Sequence, residues 1–218
     1  MSFAKPLAAA FFAVAVLVWG VASAVAAPLT AGGLLFPVPL EADPTGGVVI
    51  ASTSQPIVAP TYTANLVTTV IQGDPSNLLG GLTFTYEIRN VTGTESINRM
   101  SILGYDNILV DASYRLPGAG AVIPAFYDRE SPGDALGVSF AGAPIGPGPI
   151  APGQSSATLV FQTNASTAVP SPVFLIDGAT TGVITLAPIP EPTTLTLAGL
   201  GAFGLAMAFR RCRAKRAA

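Results

Sequence analysis

Apolar and polar residues alternate along much of the middle of the chain. The clearest example is residues 82–89, where Leu, Phe, Tyr and Ile occupy every second position and Thr, Glu and Arg fill the positions between. Successive side chains of a β-strand point to opposite faces, so this period of two predicts a strand with one buried and one solvated face. We therefore expect Phe84 to lie in a core and Thr85 to face solvent.

Similar patterns predict further strands, each bounded by turn residues such as Gly73-Asp74-Pro75 and Asp177-Gly178. The segment 28–60 contains several prolines, which confine strands there to sheet edges or short pieces. Residues 141–153 contain four prolines and four glycines, and this composition predicts a loop. The other predicted strands are residues 62–72, 96–103, 107–114, 136–140, 155–163, 173–176 and 182–187.

No amphipathic helix of useful length is predicted between residues 28 and 187. Many short strands separated by regular turns are typical of an all-β fold, and we predict a single antiparallel β-sandwich body over residues 27–187. About 160 residues are enough for one core between two packed sheets.

The N-terminus follows a different pattern. Lys5 precedes an apolar stretch at residues 7–18, and a run of small residues follows up to Ala27. This order is typical of a secretory signal peptide, here residues 1–26, which signal peptidase removes. The preferred cleavage site lies between Ala26 and Ala27, with cleavage after Ala24 as the alternative.

The C-terminus combines three features in a fixed order over residues 188–218. Pro190, Glu191 and Pro192 form a stiff turn-like tripeptide, and residues 193–209 form an uncharged apolar run. Seventeen residues lie at the lower limit for a transmembrane helix. A basic cluster follows over residues 210–218, and positive charge keeps this end in the cytoplasm. The cluster consists of Arg210, Arg211, Arg213, Lys215 and Arg216.

This C-terminal order resembles the PEP-CTERM sorting signal of exported bacterial proteins. Thr193-Thr194-Leu195 also stands where that family commonly has Ser-Thr and then Leu. The resemblance implies that the tail holds the exported chain in the inner membrane until an exosortase, an integral-membrane cysteine protease, cuts near Pro-Glu-Pro. The alternative is a plain membrane anchor that is never cut. The second half of the body resembles, more loosely, the β-rich bodies of proteins that carry this signal.

Composition narrows the chemistry that the body can perform. Residues 27–187 contain eleven acidic residues against four arginines, a net charge of −7, which disfavours nucleic acid as a partner. The chain has no histidine, and its one cysteine, Cys212, lies in the basic tail. We therefore predict no disulfide, metal or cofactor in the body, and no enzymatic activity.

Two groups of carboxylates are possible exceptions. Asp106 with Asp111, or Asp128 with Glu130 and Asp134, could act in acid–base chemistry on a glycan. The spacing of Asp128, Glu130 and Asp134 could provide oxygen ligands for calcium. Solvated loop charges are the favoured interpretation of both groups.

Aromatic residues near turns offer another possible surface, on which sugars could stack. They are Tyr105, Tyr114, Phe126 and Tyr127.

The sequence thus predicts an exported, exosortase-processed protein with a structural or polymer-associated role. The expected location is the cell surface or the extracellular polymeric substance of a biofilm, with extracellular polysaccharide as a possible partner. The alternatives are a carbohydrate-binding module or adhesin and, less favoured, a glycan-active hydrolase.

Overall fold

A computed structural model describes residues 25–42, 46–116, 121–141 and 148–189. These residues form twelve strands and no helix, which confirms the predicted all-β fold. No helix within them has the length and apolar character needed to cross a membrane. The predicted helix at residues 193–209 lies outside the described residues, as do residues 1–24 of the predicted signal peptide.

The strands vary from two to eleven residues in length. In chain order they are β1 (Ala27–Pro28), β2 (Leu34–Leu35), β3 (Val48–Val58), β4 (Tyr62–Gln72), β5 (Thr83–Gly93), β6 (Arg99–Ile102), β7 (Val110–Arg115), β8 (Phe126–Arg129), β9 (Leu136–Ser139), β10 (Thr158–Thr163), β11 (Ala168–Ile176) and β12 (Thr180–Pro188).

The strands form two six-stranded antiparallel sheets. The first sheet has the order β1-β7-β10-β5-β4-β3, and the second has the order β12-β11-β6-β9-β8-β2. The segment containing β1 and β2 pairs with β7 of the first sheet and then with β8 of the second. The N-terminal segment therefore adds an edge strand to each sheet on the same side of the molecule.

The core between the sheets is centred on Phe161 of β10. Its ring lies 5.9 Å from the rings of Tyr86 and Tyr105, and 5.2 Å from the ring of Tyr127. Phe84 is fully buried beside this cluster, as predicted. Aromatic pairs in such tilted and edge-to-face arrangements stabilise a core beyond the area that they bury.

The other face of β5 corrects the sequence prediction. Thr85 is 7% exposed and Glu87 is 9% exposed, although both were expected to face solvent. β5 lies in the middle of its sheet, so strands flank it on both sides. Parts of the chain distant in sequence also cover the outer face, because Gln162 on β10 donates to both Glu41 and Ser76.

Strand β3 takes one of the two settings that the prolines of this region allow, which are a sheet edge and a short piece. It runs for eleven residues although Pro56 lies within it. It lies at the edge of the first sheet and pairs only with β4 there. An edge strand can accommodate proline because the missing amide hydrogen need not serve a second neighbour.

Candidate functional site: the junction between body and tail

The last strand leads directly to the segment that was predicted to direct sorting. Pro188, the last residue of β12, pairs with Ala168 of β11. The amide of Ile189 then donates to the carbonyl of Thr167 at 3.3 Å. The chain is therefore held by backbone pairing up to Ile189, next to the predicted Pro-Glu-Pro.

Gly104 lies beside this exit. It has a φ of +100°, which other residues rarely adopt. A Cβ at this position would lie 3.0 Å from Oγ of Ser171 and 3.5 Å from the carbonyl oxygen of Pro188. The loop after β6 therefore packs directly against the end of β12.

Four loops meet at this end of the sandwich, which we call the exit pole: residues 73–82, 103–109, 130–135 and 164–167, together with Ile189. Hydrogen bonds join the loops to one another. Leu109 N donates to Asn164 Oδ1 at 2.9 Å, and Asn77 Nδ2 donates to the carbonyl of Thr163 at 3.1 Å. Tyr105 N donates to the carbonyl of Asp134 at 2.9 Å.

Arg129 binds the N-terminal segment to the exit pole. Its guanidinium is buried and donates to the carbonyls of Gly133, Leu29, Tyr105 and Ile108, at distances from 2.5 to 3.1 Å. Burial lowers the pKa of Arg129, since removal from water disfavours the charged form. This side chain therefore fixes the residues just after the predicted signal cleavage site against two loops of the exit pole.

An apolar groove of about 570 Å³ opens at the exit pole. Leu79 and Leu109 lie on opposite loops along it, and Ala31 and Pro132 complete its rim. Leu109 is 59% exposed, and the neighbouring Leu78 is 77% exposed. Exposed leucines beside an apolar groove are typical of a contact surface.

Of the predicted site residues, only Ala26 and Ala27 belong to the described part of the chain. Ala26 is buried, and Ala27 is the first residue of β1, where it pairs with Ala112. The others lie outside the described residues: Pro190, Glu191, Pro192, Arg210, Arg211, Arg213, Lys215 and Arg216.

The candidate calcium ligands have other contacts. Asp128 makes a bidentate ion pair with Arg99, with N–O distances of 2.7 and 2.8 Å. Asp134 accepts a hydrogen bond from the amide of Gly104 at 3.0 Å. Within the described ranges, no three His, Cys, Asp or Glu side chains converge as a metal site requires.

The candidate acid–base pair consists of two carboxylates in different settings. Asp106 is exposed and accepts a hydrogen bond from Asn107 Nδ2 at 2.8 Å. Burial raises the pKa of Asp111, which lines the groove at the exit pole. These contacts identify no catalytic role for either residue.

The suggested aromatic surface is wrong for two of its four members. Tyr105 and Tyr127 are fully buried, and burial raises the pKa of both hydroxyls. Tyr127 donates to the carbonyl of Ser113 at 2.8 Å. Tyr114 and Phe126 are half-buried. The two fully buried rings belong to the core and cannot stack on a sugar.

A buried ionic network on the outer face of the first sheet was not predicted. Arg115 Nε donates to Glu41 at 2.7 Å, and a terminal nitrogen of Arg115 lies 3.2 Å from Asp74. Burial alone would raise the pKa of Asp74, but hydrogen bonds from Ser76 and the charge of Arg115 hold it below its usual range. No sequence pattern indicated this network, because its members are 33 or more positions apart.

Next to this network lies a shallow trough of about 240 Å³ with both polar and apolar lining residues. Glu87, which is buried, and the exposed Arg89 form an ion pair along it at 2.6 Å, and Thr69, Thr85 and Thr158 supply hydroxyl groups. The trough has the hydrogen-bonding groups that a polar polymer would need, but its lining residues include no aromatic ring.

Comparison with known proteins identifies the tail. Residues 188–211 match the model of the PEP-CTERM protein-sorting motif, which confirms the resemblance seen in the sequence and is consistent with an exosortase substrate. The motif implies an exported protein that an exosortase processes and that reaches the cell surface through membrane-anchored sorting. No curated protein and no solved structure matches the chain.

Proposed function

We propose that this protein is a structural or polymer-associated component of the cell surface or extracellular polymer, released from its membrane tail by an exosortase. One observation carries the proposal: the sorting motif begins at Pro188, the residue at which the last strand ends. A cut near Pro-Glu-Pro would therefore leave all twelve strands in one piece. The proposed cut would thus separate the β-rich body from the tail without breaking a described strand.

The tail chemistry supports a definite orientation. Residues 193–209 would cross the inner membrane, with Arg210 and the cluster after it on the cytoplasmic side. Pro190, Glu191 and Pro192 would then lie at the outer surface, within reach of a membrane-embedded protease. The carboxylate of Glu191 favours this position because a charge is costly inside hydrocarbon.

The body itself would act as a scaffold and not as an enzyme. Asp128 and Asp74 are engaged by Arg99 and Arg115, so these carboxylates have structural partners. Binding of extracellular polysaccharide is the second candidate function, favoured by the hydroxyl and charged groups of the trough beside Arg115. Alanine in place of both Thr69 and Glu87 should then weaken retention on the host's own polysaccharide, whereas loss of the exposed Glu95 carboxylate should not.

The sorting proposal is tested by changing Glu191 in a host that carries the exosortase. Glu191→Ala, or deletion of residues 190–192, should leave full-length protein in the inner membrane, because the segment that the protease recognises is altered. The size and membrane fraction of the protein are measured on immunoblots. Glu95→Ala, an exposed carboxylate of the body, is the matched control and should be processed normally. Normal processing of both Glu191 variants would contradict the proposal.

A further inference from the structure

We infer that the exit pole is a lipid-contact surface, which rests on the outer leaflet of the membrane and places Leu78 and Leu109 against lipid. This inference rests on the proposed insertion of the tail. The inference gives the body a role of its own, because the sorting motif covers only residues 188–211.

The length of chain between body and membrane forces the exit pole close to the bilayer. Backbone pairing holds the chain up to Ile189, and the predicted span begins at Thr193. Four residues reach at most about 14 Å when fully extended. The polar layer on each side of the hydrocarbon is itself about 5–8 Å thick. The exit pole therefore cannot move far from the headgroups.

The exposed leucines lie beside the point where the chain leaves the body. The loop at residues 164–167 contacts both Leu109 and the exit. Asn164 accepts a hydrogen bond from the amide of Leu109, and Thr167 accepts one from the amide of Ile189. The loop bearing Leu78 meets the same end of β10, where Asn77 donates to the carbonyl of Thr163. Leu78 and Leu109 thus lie at the same end of the sandwich as the exit.

The charges of the exit pole favour an apolar contact with lipid over an electrostatic one. The two arginines that reach residues of the exit pole, Arg115 and Arg129, are both buried. Asp106 and Glu130 are exposed there and carry negative charge. Basic residues attract a protein to anionic lipid, and this surface presents acidic ones. Contact would then depend on the leucines, the apolar groove and the tether that the tail provides.

Tryptophan fluorescence tests this contact in the chain from Ala27 to Ala218, which keeps the tail. Trp19 is the only tryptophan in the sequence and lies in the predicted signal peptide, so this chain is a silent background. Leu78→Trp and Leu109→Trp place a reporter on the exit pole. Val58→Trp is the matched control, because Val58 is 75% exposed and lies far from the exit pole. The start of β3, Val48, pairs with Gln72 next to the exit pole, and Val58 is at the other end of this strand.

Each variant is reconstituted into phosphatidylcholine vesicles with ordinary or brominated acyl chains. We expect bromine to quench emission from positions 78 and 109, with a shift to shorter wavelength, and to leave position 58 unchanged. A flexible insert of about ten Gly and Ser residues after Ile189, which adds about 17 Å of reach, should reduce the quenching.

Two results would overturn the inference. One of them would also overturn the proposed insertion of the tail. Protein that floats with the vesicles while positions 78 and 109 stay as unquenched as position 58 refutes lipid contact but not tail insertion. Protein that fails to float with the vesicles refutes both. A surface that serves a protein partner instead of lipid would give the first of these results.

Discussion

At the scale of single residues, two buried arginines stabilise the fold in different ways. Arg129 is bound by four carbonyl oxygens, whereas Arg115 is paired with the carboxylates of Glu41 and Asp74. Loss of one member of a buried ion pair leaves the other charges without compensation, which costs more than loss of a pair at the surface. Arg115 therefore stabilises the fold because, without it, the buried carboxylates of Glu41 and Asp74 would have no counter-charge.

Replacement of Arg115 by leucine should lower the free energy of unfolding by about 3–5 kcal/mol, because Glu41 and Asp74 would remain buried and unpaired. Arg99→Leu is the matched control: Arg99 pairs with Asp128 where both side chains are partly exposed, so water can solvate the carboxylate that is left behind and the loss should be smaller. Urea unfolding followed by circular dichroism measures both. Equal losses in the two variants would show that the network around Arg115 contributes no special stability.

The same network predicts how stability depends on pH. The pKa of Asp74 is lower in the folded chain than in the unfolded chain, so its ionised form favours folding. This contribution is complete above the ordinary aspartate pKa of about 3.9 and is lost as pH falls through the lower folded value. We expect the melting temperature to fall on acidification below about pH 4. Asp74→Asn should flatten that fall, and an unchanged acid profile would contradict the assignment.

At the scale of elements, β5 shows what local pattern can and cannot predict. The alternation in residues 82–89 predicted a strand and the correct inward phase, since Phe84 is fully buried. It could not predict that Thr85 would be covered, because that depends on β5 being central and on neighbours such as Thr69 and Arg115, which are distant in sequence. Proline in β3 likewise indicated an edge but not the length, which pairing with all of β4 determines.

The strand phase of β5 is tested by two substitutions. Phe84→Ala should lower the free energy of unfolding by about 3–5 kcal/mol, because it removes a fully buried ring. Thr85→Ala should cost less, about 1 kcal/mol, since this smaller side chain is covered but lies outside the aromatic core. Chemical denaturation measures both values. A larger loss of stability at position 85 than at position 84 would show that Thr85, and not Phe84, faces the core.

At the scale of the whole molecule, the sorting signal was predictable and its setting was not. Pro190, Glu191, Pro192, the apolar run and the basic cluster are contiguous, so one stretch of sequence contains the whole signal. The exit pole, in contrast, is assembled from four loops that the sheets bring together. Its relation to the tail follows only from the pairing of Ile189 with Thr167. The structure shows that the last strand of the body ends at Pro188, the residue at which the motif begins.

The central claim is that an exosortase removes the tail and leaves the β-sandwich intact. Mass spectrometry of the protein's termini, from a host with the exosortase and from the same host without it, tests this most directly. We predict an N-terminus near Ala27 in both strains. With the enzyme, the C-terminus should lie close to residues 190–192, and without it the whole tail should remain in the inner membrane. Protein that keeps residues 193–218 in the presence of the enzyme would contradict the claim and indicate a plain membrane anchor.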